Sequence, residues 1–145
     1  MIDLSCIKNI VFDLGGVLLN LDFDASLKAF QKMGLDNAIS DKGLAYSDKV
    51  FYELETGRIP PEKFRSRIRE ILKNPDASDR EIDDAWAAMI LDVPAERVKV
   101  LQHLSNDFNI YLFSNTNQIH ISRLHKWFEQ TYGFGFPSLF TRDLY

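Results

Sequence analysis

The 145-residue sequence predicts an α/β fold in which a parallel β-sheet is interrupted by a block of α-helices. Residues 7–12 and 109–113 are short, mostly apolar segments, typical of strands that are buried on both faces. Residues 137–141 form a third, poorer strand candidate. Helical periodicity between these segments gives the order strand, helix, strand, helix, strand, which favours parallel pairing through right-handed crossovers.

Composition narrows the class of partner. Charged residues make up 26% of the chain and apolar residues 46%, the balance of a globular domain rather than a disordered tail or a membrane span. A formal net charge of −4 lacks the basic surface that nucleic acid or anionic lipid needs, so we expect a small-molecule partner, no nucleic acid and no membrane. The single cysteine, Cys6, excludes an internal disulfide, and no secretory signal is apparent, so we expect a cytoplasmic protein.

The helical block is predicted over residues 24–91. Asp24 is placed to cap its first helix, and Ser47 or Asp48 to open the second. Pro61 fits the start of the third helix, because proline at the first helical position gives up no intrahelical hydrogen bond.

The fourth helix of the block begins at a predicted capping box formed by Ser78 and Glu81. Apolar residues three or four positions apart give the helices a shared core face, to which we assign Phe64, Trp86 and Met89 rather than to a substrate pocket. Tyr46 and Phe51 fit either the core of the helical block or a substrate pocket.

Two further helices are predicted after the block. Pro94 opens one that ends near Ser105, and the other spans residues 118–128. The second contains His120 and His125, which are five positions apart and so do not share one helical face as a metal pair. Together with His103 they are expected to be surface histidines.

Polar residues follow each of the first two strands. Asp13, followed by Gly15 and Gly16, is either a turn former or a carboxylate presented to a ligand beside exposed main-chain amides. Ser114 and Asn115 are either a helix cap or an anion site, and the two roles are compatible. Because parallel strands share one carboxyl edge, Asp13 and Ser114 are predicted to lie at the same edge of the sheet.

These segments resemble motifs of the haloacid dehalogenase-like (HAD) hydrolases, most of which are phosphatases. IVFDLGGVLLNLD at 10–22 is similar to the family's first motif, an apolar strand followed by Asp. YLFSNTN at 111–117 is similar to the second, a strand that ends in Ser or Thr. GRIPPEKF at 57–64 resembles a stretch common in helical caps. Within the family, the resemblance is to α-glucose-1-phosphate phosphatase-type enzymes and to the phosphatase domain of epoxide hydrolases.

The resemblance implies a doubly wound, Rossmann-like parallel sheet over residues 1–17 and 92–145, with an inserted helical cap over residues 18–91. The family's third motif, a Lys or Arg for the phosphate, and its fourth, Asp ligands for Mg²⁺, are not found in the sequence; Lys126 and Arg142 are cations that we do not assign to these roles. We therefore expect an incomplete core with an open edge at the first strand, weak Mg²⁺ binding and low turnover by these 145 residues alone.

The resemblance also implies roles for particular residues. Asp13 would be the nucleophile that forms an aspartyl-phosphate, and its carboxylate would bind Mg²⁺ together with the Gly15 backbone carbonyl. The Ser114 hydroxyl, the Asn115 amide and the backbone amides of Leu14 and Gly15 would bind the phosphoryl oxygens.

One position departs from the family pattern. Gly15 stands where most phosphatases of the family have a second Asp, the acid that protonates the leaving oxygen. Such an acid is typically worth about 10²–10⁴-fold in rate. Its absence suggests an activated ester such as a sugar 1-phosphate, or a replacement acid, for which Asp22 is the candidate; otherwise Asp22 is a solvated residue near the cap hinge.

The leading hypothesis is a Mg²⁺-dependent phosphatase of a small phosphorylated metabolite, in which a sugar phosphate is the favoured substrate. One alternative is a catalytically weak or inactive phosphate-binding module of the same fold, which Gly15 and the missing motifs favour. The other is a 2-haloacid dehalogenase, which uses the same kind of nucleophile. Both a monomer and a homodimer remain open.

Overall fold

The computed structural model describes residues 6–35 and 48–145. The chain divides into two compact units. The sheet unit comprises Met1–Leu21, Leu91–Ser114 and Leu124–Tyr145, and the helical unit comprises Asp22–Ile90 and Asn115–Arg123. Ser47 and Tyr46, which the sequence analysis considered, lie outside the described residues. The finer assignment of a core and a cap stays a prediction.

The sheet contains three parallel strands in the order β1-β2-β3, as the α/β prediction requires. Strand β1 is Asn9–Phe12, β2 is Asn109–Phe113 and β3 is Arg142–Leu144. The predicted strand at 137–141 is wrong, because Phe136–Leu139 forms a 3₁₀ helix and β3 begins after it. Proline cannot donate to a ladder, and Pro137 instead takes an early position in the 3₁₀ turn.

Two helices belong to the connections of this sheet: α5, Ala95–Leu104, and α6, Gln118–Tyr132. We predicted that α6 would end at Phe128, but it runs one turn further to Tyr132, and the next residue, Gly133, has a φ of +79°, which suits a left-handed helix end. The residues of α6 up to Arg123 are part of the helical unit, and those from Leu124 are part of the sheet unit.

One face of the sheet carries exposed apolar side chains. Val11 is 64% exposed and Phe113 is 63% exposed, whereas Ile110 and Leu112 are buried. The prediction that β1 is buried on both faces is therefore wrong. Right-handed connections that step across a sheet in one direction place their helices on the same face, which leaves the opposite face uncovered.

The helical unit contains α1 Phe23–Lys32, α2 Lys49–Glu55, α3 Pro61–Leu72, α4 Asp79–Trp86 and the 3₁₀ helix Ala87–Met89. Its core is aromatic. The ring of Phe51 lies 6.1 Å from that of Phe30, 5.6 Å from Phe64 and 5.0 Å from Trp86, between ring centroids. The assignment of Phe64, Trp86 and Met89 to the core is confirmed, and Phe51 joins them.

Most helix starts follow the sequence signals. Asp48 caps α2 through Val50 N–H at 2.9 Å, and Ser78 with Glu81 forms the expected capping box at α4. The cap of α1 differs from the prediction, since Asp22 Oδ1 accepts from the Asp24 N–H at 3.1 Å and Asp24 lies in the first turn. Two aspartates two positions apart carry the same capping signal, so the sequence alone did not separate them.

Within the described residues, no helix combines the length and the apolar character needed to cross a bilayer.

The core of the helical unit should be sensitive to the loss of a single methyl group. Ile82 is fully buried in it, so Ile82→Val should lower the free energy of unfolding by about 1 kcal/mol. Ile7 is 38% exposed, and Ile7→Val is the matched control, with an expected change below about 0.5 kcal/mol. Urea unfolding measures both, and equal losses would contradict the assignment of Ile82 to the core.

Candidate active site

Asp13 and Ser114 each follow the end of a strand. Asp13 comes directly after Phe12, which pairs with Leu112 of β2, and Ser114 comes directly after Phe113, which pairs with Leu144 of β3. Because the three strands are parallel, both residues lie at the carboxyl edge of the sheet. This is the edge at which open α/β sheets bind ligands.

The loop after Asp13 is closed by its own backbone. The Leu14 carbonyl accepts from the N–H groups of Leu18 and Leu19, both at 2.9 Å, and the Gly16 N–H donates to the Leu19 carbonyl at 2.9 Å. These bonds form a parallel bridge between Gly15 and Leu19 that uses the neighbouring peptide groups. Among the loop bonds of the described residues, none uses the N–H or the C=O of Gly15 itself, so both groups are available to a ligand.

One of the two glycines is needed for the shape of this loop. Gly16 has φ of +73°, a left-handed conformation that side chains rarely adopt. At Gly15, an added Cβ would come within 3.1 Å of Leu21 Cδ1. Gly16 therefore fixes the turn, whereas a side chain at position 15 would require only a small shift of the Leu21 side-chain end.

The Asp13 side chain is exposed and partly oriented. One of its oxygens, Oδ1, accepts from the Leu14 N–H at 2.7 Å, and the other has no partner among the described residues. The Leu14 amide, which we predicted to bind phosphoryl oxygens, is thus occupied by Asp13 in this structure. This leaves the Gly15 amide as the available donor of the pair.

Ser114 and Asn115 differ in exposure. Ser114 is 8% exposed, and its N–H donates to the Leu144 carbonyl at 3.1 Å, which anchors the end of β2 against β3. Its hydroxyl makes no hydrogen bond to the described part of the chain. Asn115 is exposed and is the first residue of the helical unit's second segment.

A polar cluster in the sheet unit, which the sequence analysis did not identify, fixes the far end of the loop. Asn20 Nδ2 donates to Asp92 Oδ1 at 2.9 Å, and Arg97 Nη1 donates to Asn20 Oδ1 at 2.9 Å and to the Leu18 carbonyl at 3.1 Å. No local pattern relates residues so far apart in the chain, so one sequence carries no signal for this cluster.

Asp22, the candidate acid, has a structural role as the cap of α1, and its side chain is exposed. A catalytic role for it stays a prediction. Lys126 and Arg142 are both exposed.

The expectation that all three histidines lie at the surface is wrong for His120. His103 is exposed and His125 partly so, but His120 is only 6% exposed. Its position four residues before the buried Leu124 places it on the buried stripe of α6, a signal that the test for a metal pair overlooked. Burial lowers its pKa to about 4, so the ring is neutral at neutral pH.

The loop offers the kind of ligand that Mg²⁺ prefers. Asp13 has an exposed carboxylate oxygen and Gly15 an uncommitted carbonyl, and Mg²⁺ binds hard oxygen ligands of these types. These two groups fit the predicted ligands but fill only part of an octahedral shell. Among the described residues, no group of three or more His, Cys, Asp or Glu side chains is arranged to hold a metal ion.

Comparisons with known proteins point to one family. A search of protein-family models finds no match. The chain is 32% identical over 111 residues to a D-ribitol-5-phosphate phosphatase of Bacteroides thetaiotaomicron, covering 77% of this chain and 53% of that protein. The chain therefore spans about half the length of this curated relative.

The fold is also found in solved structures. A HAD family enzyme of Bacteroides thetaiotaomicron superposes with a TM-score of 0.85 at 35% identity, over 94% of this chain and 67% of that one. Its complex with magnesium and inorganic phosphate gives a TM-score of 0.79. A HAD-like hydrolase of Porphyromonas gingivalis gives 0.82 at 27% identity, over 96% of this chain and 66% of that one.

Gly16, with a positive φ, and Gly135, with a negative φ, allow a matched test of the loop conformation. Gly16→Ala should lower the free energy of unfolding by about 1–2 kcal/mol, because alanine is strained at a φ of +73°. Gly135 has a φ of −74°, and a Cβ there would lie 3.8 Å from Pro137 Cδ, an ordinary van der Waals contact, so Gly135→Ala should cause no loss. Denaturant unfolding compares the two variants, and equal losses would show that the Gly16 conformation is not required.

Proposed function

Because this chain belongs to the haloacid dehalogenase-like family of hydrolases, we propose that it forms the nucleophile and phosphate-binding part of a Mg²⁺-dependent phosphatase of a small phosphorylated metabolite. The observation that carries the proposal is the carboxyl edge of the sheet. There, Asp13 has one carboxylate oxygen free, beside a loop with an unused amide and carbonyl at Gly15. The Mg²⁺ and phosphate complex of the similar Bacteroides enzyme supports the same chemistry.

In this proposal Asp13 is the nucleophile. Its Oδ1 stays bonded to the Leu14 N–H, which orients the carboxylate, and the other oxygen attacks phosphorus in line. The bond from phosphorus to the leaving oxygen breaks, and that oxygen takes up a proton. Water then hydrolyses the aspartyl-phosphate, which releases inorganic phosphate and restores the carboxylate.

The neighbouring groups neutralise the phosphoryl charge. The Ser114 hydroxyl, the Asn115 amide and the Gly15 N–H donate to the phosphoryl oxygens. Asp13 Oδ1, which keeps a lone pair beyond its bond to the Leu14 N–H, and the Gly15 carbonyl would hold Mg²⁺, and the ion would supply further positive charge at the transferring group.

The substrate class follows from the leaving group. The curated relative is named for a phosphorylated sugar alcohol, whose leaving oxygen is an ordinary alkoxide and therefore needs a proton. A sugar 1-phosphate has a better leaving group and depends less on an acid. We therefore infer a phosphorylated sugar or sugar alcohol, and the absence of an acid at Gly15 makes Asp22 the residue to test.

Gly15 also favours a second candidate function, that of a phosphate-binding module. Without an acid at position 15, the fold could bind a phosphorylated ligand and not turn it over. Binding of inorganic phosphate without release of phosphate from any ester would support this module, and release of halide from a 2-haloacid would support the dehalogenase.

Asp13→Asn should abolish phosphate release. The substitution keeps the shape of the side chain but removes the nucleophile, a loss of about a thousandfold or more. Chelation of Mg²⁺ should remove the activity of the unaltered protein. The assay follows phosphate release from sugar 1-phosphates, sugar 5- and 6-phosphates and sugar-alcohol phosphates, with Asp107→Asn at an exposed position as the control. Undiminished activity of Asp13→Asn would contradict the proposed mechanism.

Asp22→Asn separates the capping role of Asp22 from acid catalysis. Asparagine caps helices as well as aspartate does, so α1 should keep its stability, whereas an acid role predicts a fall in kcat of about 10² or more. Asp22→Ala should lower both stability and kcat. A kcat of Asp22→Asn equal to that of the unaltered protein would remove Asp22 from the mechanism.

A further inference from the structure

The helical unit contains a buried series of hydrogen bonds that begins at Asn117, the last residue of the second motif. The Asn117 side chain caps α6, because its Oδ1 accepts from the N–H groups of Ile119 and His120, both at 3.1 Å. Its Nδ2 lies 3.1 Å from His120 Nδ1, and His120 Nε2 lies 3.2 Å from the Trp86 carbonyl oxygen. Asn117 and His120 are both buried, although both are polar.

The partners specify one state of the imidazole. The Oδ1 of Asn117 is used as an acceptor by two backbone N–H groups, so its Nδ2 can only donate, and His120 Nδ1 must accept. The Trp86 carbonyl can only accept, so His120 Nε2 must carry the proton and donate. A neutral ring with its proton on Nε2 satisfies every one of these contacts, and burial keeps it neutral.

The series of hydrogen bonds continues beyond Trp86. The Ser26 hydroxyl donates to the same carbonyl at 2.7 Å and accepts from the Met89 N–H at 3.1 Å. The Met89 carbonyl in turn accepts from the Asp22 N–H at 2.9 Å. Stacking adds to the contact, since the rings of His120 and Trp86 lie 4.8 Å apart at 27°.

We infer that His120 is a positioning residue, which holds the segment 115–117 in a single place on the helical unit by bonding Asn117 to the Trp86 carbonyl. Asn115 lies two residues before the anchored Asn117, so the anchor limits the positions that the Asn115 backbone can take. This inference rests on the proposed function, in which Asn115 binds a phosphoryl oxygen. The His120 side chain acts through Asn117 and does not touch the substrate.

The central variant is His120→Gln, which keeps a donor in the region of Nε2 and removes the acceptor for Asn117. The backbone amides at 119 and 120 donate to Asn117 Oδ1 and the Ile121 amide donates to the Asn117 backbone carbonyl, so hydrogen exchange at all three reports on whether Asn117 stays in place. Exchange of these three should become about tenfold faster, while exchange of the α3 amides changes by less than about twofold. His103→Gln, at an exposed position, is the matched control and should leave all of these rates unchanged.

Kinetics test whether the anchor positions Asn115. On the whole protein, His120→Gln should raise KM for the phosphate ester about tenfold and leave kcat nearly unchanged, because the loop contact is lost equally in ground and transition states. In an Asn115→Ala background the same substitution should raise KM by less than about twofold, since the residue being positioned is already absent. Asn117→Ser removes the bond from the other side and keeps a cap, and should reproduce the rise in KM; Asn106→Ser is its exposed control.

The outcomes separate this inference from the proposed function. Faster exchange at 119–121 in a protein that hydrolyses no ester would support the anchor and reject the phosphatase. Unchanged exchange at these amides, or equal acceleration throughout the helical unit, would overturn the anchor in an active protein. A rise in KM of the same factor with and without Asn115 would show that His120 does not act through Asn115.

Discussion

The parallel pairing of β1 with β2 is the contact that brings Asp13 and Ser114 to one edge of the sheet, and it joins residues far apart in the chain. Asn9 lies opposite Asn109, 100 positions later, and their side chains bond at 2.9 Å. Closing a flexible loop of that length costs on the order of 4 kcal/mol beyond a constant. The helical unit reduces this cost, because its own folding brings Asp22 to Met89, where the N–H of the first meets the carbonyl of the second at 2.9 Å. The connection that remains to be closed is then short.

Features that depend on near neighbours in the sequence were predictable, whereas features that depend on contacts between distant residues were not. The capping box at Ser78 and the polar ends of the strands depend on near neighbours, so their patterns were sufficient for the helix start and for placing Asp13 and Ser114 at one edge. The position of His120 four residues before Leu124 indicated the buried side of α6, but no local pattern expresses its contact with Trp86, 34 residues away. The Asn20 cluster failed to appear in the sequence analysis for the same reason.

One face of the sheet is more exposed to solvent than the apolar composition of its strands indicated. A parallel sheet is normally covered on both faces, yet Val11 and Phe113 are mostly exposed on one of them. Apolar residues therefore predicted β1 and β2 correctly but not the burial of each face. The same bias explains the false strand at 137–141, where apolar residues pack as a 3₁₀ turn: Phe136 and Leu139 are buried without joining the ladder.

A polar chain inside the aromatic core of the helical unit carries a cost as well as a benefit. Burying Asn117, His120 and Ser26 requires that each find partners, and the contacts among them and Trp86 supply these. The Trp86 Nε1 is the exception, a buried donor with no acceptor among the described residues. Apolar side chains could fill the same volume in several arrangements, whereas a donor and acceptor sequence is satisfied in one. Such a series of hydrogen bonds therefore fixes the position of Asn117 more sharply than packing alone, which is what the contact proposed between Asn115 and a phosphoryl oxygen would require.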